Sequence, residues 1–126
     1  AGLNAGLFYN TFPKMGERWI AEGVTALSPW FRNLTESIAG VQFIHRYLAV
    51  VIAILVGIVI YKSFINNVNF LRKRAVVLLG IAVVVQFLLG VFTLLFQVPI
   101  VIAAMHQFGA LLLFAATVYS LFLYSK

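Results

Sequence analysis

Three uninterrupted apolar stretches organise this chain, running from about Gly40 to Phe64, from Ala75 to Phe96 and from Ile100 to Tyr124. Each holds the roughly 20 residues that a helix, rising about 1.5 Å per residue, needs to cross a hydrocarbon core about 30 Å thick. None alternates apolar and polar residues with a period of two, which argues against a membrane β-barrel. Backbone that crosses lipid outside a closed barrel must satisfy its hydrogen bonds within a helix. The pattern predicts an all-α integral membrane protein with three complete transmembrane helices. Polar residues collect between them, in the long segment 10–39, the connection Ile65 to Arg74 and the tight turn Gln97-Val98-Pro99.

Within the first polar segment, Ser28-Pro29-Trp30 predicts a helix start, with a serine cap and proline in the first turn. The expected product is a short helix over 29–38 lying on the membrane surface, with Gly40 as the break before the first span. The chain divides on this reading into 1–39 and 40–126. Asn33-Leu34-Thr35 matches a glycosylation acceptor, but that tripeptide recurs by chance and adds little. The opening Ala-Gly-Leu-Asn-Ala-Gly-Leu is rich in small residues, follows no initiating methionine and suggests a chain observed in part.

Composition agrees with a membrane protein. Of 126 residues, 63% are hydrophobic and 10% charged, against about 25% charged in a soluble domain. Mean hydropathy is +1.06. With no cysteine, disulfides, thiolate metal sites and cysteine nucleophiles are excluded. A net charge of +6 would suit nucleic acid, yet the charges lie mostly in the connections between spans, as topology signals do. Lys62, Arg72, Lys73, Arg74 and Lys126 fall on one side, so the connection 65–74 is expected to face the cytoplasm or a mitochondrial matrix. The other side is nearly balanced, with Lys14, Arg18 and Arg32 against Glu17, Glu22 and Glu36, and it carries Trp19 and Trp30 as interfacial anchors.

Ionisable residues inside the spans are few. His45 lies about five residues inside the outer end of the first span, and His106 about six inside that of the third. Both are therefore roughly 8–9 Å deep on helices that run in the same direction. A bare zinc or copper ion wants about four ligands, and the spans contain no cysteine, aspartate or glutamate to complete such a set. Haem supplies four nitrogens itself and needs only two axial ligands, so the poverty of other ligands favours haem over a naked metal. The plainer alternative is that each histidine hydrogen-bonds a neighbouring helix. Arg46 can pair with a haem propionate or snorkel to the interface. Gln107 can bond a propionate, a ligand or another helix. Gln86 and Thr93, two turns apart on the second span, are expected to form interhelical hydrogen bonds. Gly80, Gly90 and Gly109 are expected to permit close helix approach.

Three segments together carry a resemblance to a known family: AGLNAGLFYNTFPKMGERWI, RNLTESIAGVQFIHRYLAV and QFLLGVFTLLFQVPIVIAAMHQFGALLL. They resemble the C-terminal half of haem A synthase, over nearly the whole chain and in the family's order. The resemblance implies a protein of eight membrane helices, built as two similar four-helix bundles. It oxidises a methyl group of haem O to the formyl group of haem A. It implies that this half binds haem b between two histidines, here His45 and His106, with Arg46 and Gln107 nearby. The iron would then have no open position, which suits electron transfer or structure. The resemblance also makes Ala1 to Leu7 the end of a preceding helix, so that the three spans belong to a four-helix half-bundle. No catalytic residue is expected in this chain, because the haem O substrate and its chemistry belong to the N-terminal half. The expected partners are that half and membrane lipid, with a homo-oligomer left open and no nucleic acid. The expected setting is a bacterial cytoplasmic or mitochondrial inner membrane. Two rivals share parts of the pattern: a non-enzymatic b-type cytochrome or anchor subunit, and an assembly subunit without cofactor.

Overall fold

The computed structural model describes residues 5–125. Three long helices dominate, α1 (Ile38–Ile65), α2 (Phe70–Leu95) and α3 (Ile100–Ser125). All three are long and apolar enough to cross a membrane. The described residues form no strand, and the chain is all-helical apart from its connections, with one isolated bridge between Met15 and Arg18.

The helix boundaries follow local capping chemistry. Ser37 caps α1, its hydroxyl accepting from the Gly40 amide at 3.1 Å. The break therefore lies at Ser37 rather than at Gly40, which sits inside the first turn. The expected surface helix over 29–38 is shorter and tighter, a 3-10 turn over Trp30–Leu34 with no side-chain cap from Ser28. Asn33 organises it instead. This buried side chain accepts from Leu27 N and donates to the carbonyls of Leu27 and Trp30. An amide committed in this way is a structural residue, not a glycan acceptor. Of the expected helix end at Ala1 to Leu7, residues 1–4 lie outside the described residues and Ala5–Leu7 forms a 3-10 turn.

The connection between α1 and α2 is also shorter than expected. Asn69 accepts from Arg72 N at 3.0 Å and starts α2 at Phe70, so Arg72, Lys73 and Arg74 lie within the start of the helix rather than in the connection. Arg72 reaches across to α3, donating from Nε to the Leu123 carbonyl at 2.9 Å and lying over the Tyr124 ring. It thereby satisfies a carbonyl at a helix C-terminus, where positive charge is favoured. At the other end of α2, Val98 N donates to Thr93 O at 2.7 Å and closes the tight turn before α3.

Helix α2 is the central element and packs against both α1 and α3, whereas no Cα of α1 comes within 8 Å of one in α3 among the described residues. Its buried residues Ala75, Val76, Leu79 and Val83 recur at one-turn and two-turn spacing on one face. Gly80 receives Ile60 of α1, whose Cδ1 would lie 2.6 Å from a Cβ placed there. Side chains link the two outer helices near the basic end, where Ser63 and Tyr124 share a hydrogen bond. Much of the remaining surface is apolar and exposed, including Ile54, Leu55, Ile81, Val84, Phe108 and Leu111. Lipid-facing helices carry such residues without cost.

The segment 6–37 folds against the opposite end of the helices. Met15, Ala21 and Ala39 form a small buried cluster, flanked by Tyr9, Val24 and Phe43. Arg18 pairs with Glu22 and Arg32 with Glu36 on its exposed surface. The hydrogen bond from Arg32 holds the Glu36 carboxyl below its usual range, though exposed pairs of this kind contribute little to stability. Gly40 is the tightest joint, because a Cβ there would collide with the backbone carbonyl of Asn33, itself held by three side-chain hydrogen bonds. Gly40→Ala is expected to cost about 1–3 kcal/mol, as overpacking a fixed contact does. Gly57 meets nothing within 4 Å, so Gly57→Ala is expected to be neutral or stabilising by up to about 1 kcal/mol. Thermal unfolding of both variants in detergent checks the contrast.

Candidate functional site

The two histidines meet. His45 lies seven residues after the start of α1 and His106 six after the start of α3, about 10 and 9 Å along their helices. Their ring centroids are 6.2 Å apart and the ring planes are inclined at 80°. The gap they span lies between α1 and α3, each of which packs on α2. His45 is exposed and His106 half-buried.

That separation has a chemical meaning. An imidazole nitrogen lies about 1.2 Å from its ring centre, and metal–imidazole bonds run about 2.0–2.1 Å. Two imidazoles on opposite sides of one metal ion therefore have centroids about 6.4 Å apart. The observed 6.2 Å matches this spacing. Among the described residues no group of three or more His, Cys, Asp or Glu that could hold a metal ion occurs.

Glycines place His106. Its ring lies against Gly90 of α2, where a Cβ would stand 3.0 Å from Cε1. Gln86, one turn earlier on α2, donates from Nε2 to the His106 carbonyl at 2.8 Å and sits 3.2 Å from His106 Nδ1. The expected interhelical role of Gln86 is thus present, directed at the histidine itself. Thr93 differs, since its hydroxyl turns back to Leu89 O at 2.7 Å within its own helix. Gly109 makes room for the Gln86 amide, because a Cβ there would collide with Oε1.

Arg46 is committed to the chain's own backbone. Nη1 donates to the carbonyls of Thr11 at 2.8 Å and Lys14 at 3.0 Å, and Nη2 to that of Tyr9 at 2.7 Å. Gln42, one turn before it, donates to the same Tyr9 carbonyl at 2.9 Å. Asn10 ties the segment to α2 through the Leu94 carbonyl. Gln107 is exposed, and no hydrogen bond to another described residue ties it down. The structure thus brings His45, His106 and Gln86 together, while Arg46 serves the loop that roofs α1.

Comparison with known proteins decides the family. The model of the cytochrome oxidase assembly protein family, COX15-CtaA, matches residues 1–118. The chain belongs to that family. Among curated relatives, the protein named Heme A synthase from Nitrosospira multiformis is 45% identical over 119 residues, covering 94% of this chain and 33% of its own length. The Heme A synthase of Wolbachia pipientis wMel is 43% identical over 121 residues, 96% of this chain and 33% of the relative. Heme A synthase COX15 of Mus musculus is 40% identical over 119 residues, 94% of this chain and 29% of the relative. The chain therefore spans about a third of the length of the curated relatives it matches. No solved structure matches it. Family membership and three apolar spans together make this a membrane protein of the haem A synthase family.

Proposed function

We propose that this chain is the haem-b-binding part of a haem A synthase, in which His45 and His106 are the two axial ligands. One observation carries the reading: imidazoles from two helices whose backbones stay apart stand 6.2 Å from each other, close to the spacing of two ligands on one metal ion. Bis-histidine haem b would supply electron transfer or structural support when bound. The residues of this chain have simpler tasks. His45 and His106 present ring nitrogens across the gap, α2 sets the distance between them, and the apolar spans keep water from the flanks. Oxidation of haem O to haem A is assigned to the rest of a protein about three times this length, with the haem O substrate bound there. The basic end at Lys62, Arg72, Lys73 and Arg74 is assigned to the cytoplasmic or matrix side, by the charge bias of membrane helices. That places the histidines toward the outer face of a bacterial cytoplasmic or mitochondrial inner membrane.

The test is conversion in cells. Full-length protein is expressed in a host that makes haem O but no haem A, and the pigments are extracted. The wild type is expected to yield haem A, and His45→Ala or His106→Ala to leave haem O. Haem b bound by the wild type without any haem A would instead favour a non-enzymatic b-type cytochrome or anchor subunit.

A further inference from the structure

The contact between α2 and α3 at the histidine is reciprocal. On α2, Gln86 and Gly90 are one turn apart; on α3, His106 and Gly109 are three residues apart. Such pairs share a helix face. The His106 ring rests on Gly90, and the Gln86 amide rests on Gly109. Each helix contributes one polar side chain and one glycine that receives the other's.

The hydrogen bonds at this joint are incompletely satisfied. The Gln86 amide nitrogen donates to the His106 carbonyl at 2.8 Å and lies 3.2 Å from Nδ1, where an amide N–H finds an acceptor only in the tautomer that carries its proton on Nε2. Meanwhile Gln86 Oε1 is buried without a partner. A buried acceptor left unpaired costs about 1–3 kcal/mol. A neutral imidazole bound to metal through Nε2 has the opposite need, because its proton is on Nδ1 and requires an acceptor. The unpaired oxygen belongs to the same amide, and the terminal torsion of glutamine is soft. Inverting the amide, with a shift that carries Oε1 away from the His106 carbonyl oxygen, brings Oε1 to Nδ1–H and gives up the Nε2 bond to that carbonyl.

We propose that Gln86 is the positioning residue of His106, its amide inverting to accept from Nδ1–H when Nε2 ligates iron. This rests on the proposed haem ligation. Gln86 leaves Nε2 as the ring nitrogen with no partner among the described residues, fixes the ring against Gly90 and makes the ligand more basic when it accepts. Asparagine is too short for the same reach, and leucine fills the space without an acceptor.

The experiment compares Gln86→Leu, Gln86→Glu and His106→Ala in the full-length protein, reading haem b retention and midpoint potential. Loss of a partner that orients a ligating histidine costs about 10- to 100-fold in metal-site affinity. Gln86→Leu is expected to weaken haem retention by that factor and to raise the potential of what remains. Gln86→Glu keeps an acceptor oxygen in either protonation state; the ionised form only accepts, whereas the neutral acid can also donate its O–H to the His106 carbonyl. It is expected to restore retention and return the potential to the wild-type value or below. If Gln86→Leu retains haem with unchanged potential while His106→Ala loses it, the positioning role is wrong and the ligation stands. If the glutamate variant fails as the leucine variant does, the amide serves helix packing and the proposal is overturned. If His106→Ala keeps the wild-type spectrum, the ligation itself fails, and this inference with it.

Discussion

If His45 and His106 ligate haem b as proposed, replacing either with alanine is expected to strip the full-length protein of six-coordinate haem. The two rings come from helices whose backbones stay apart, and they meet at a centroid distance of 6.2 Å. No cysteine exists in the chain to substitute as a soft ligand. On the proposed ligation, truncating one histidine would remove one of two iron ligands and open the gap to water or lipid. Methionine offers a sharper form of the same experiment. A Met/His pair keeps iron six-coordinate and raises its potential relative to a His/His pair. His45→Met is therefore expected to retain a low-spin spectrum with a higher midpoint potential, where His45→Ala retains none. Redox titration of the two variants, with visible spectra recorded at each step, separates a lost ligand from a lost fold.

Arg46→Ala is expected to produce the second large effect, on the roof rather than the ligands. The guanidinium gathers the carbonyls of Tyr9, Thr11 and Lys14, which arrive from a segment more than thirty residues earlier in the chain. A hydrogen bond to a charged group contributes about 1.5–3 kcal/mol, but these carbonyls can turn to water when the roof loosens. The net loss is put at about 2–4 kcal/mol rather than the sum of the bonds. Arg46→Lys recovers only part, because an ammonium cannot span carbonyls that a planar fork reaches together. The readouts are thermal unfolding in detergent and proteolytic cleavage within 9–20. A propionate-binding role would show itself differently, as a shift in haem potential with the roof still protected.

How much of this was legible in the sequence depended on what each feature needed to be seen. The three spans were legible because length and apolarity alone define them. The histidine pair was legible because depth can be counted along helices whose directions are known. The azimuth of α2 was not, since its apolar residues surround the helix and no amphipathic stripe marks a facing side. Gln86 could therefore be expected to bond another helix, but not to bond His106. Thr93 shows the limit from the other side: a buried hydroxyl can bond its own helix four residues back, and spacing does not distinguish the two. Caps leave a local signal in the sequence. Asn69 three residues before Arg72, and Ser37 three before Gly40, were the signals that set the starts of α2 and α1. The partners of Arg46 were out of reach, because irregular backbone returning over thirty residues leaves no periodic trace.

The most direct measurement is the visible absorption spectrum of the detergent-purified full-length protein, oxidised and then reduced, with extracted pigment identified. Haem b with a sharp, low-spin reduced spectrum is the predicted result, because the proposed ligation by two imidazoles 6.2 Å apart would leave the iron no open position. A protein that stays colourless although haem is supplied during expression would contradict the account and leave His45 and His106 as helix-packing residues.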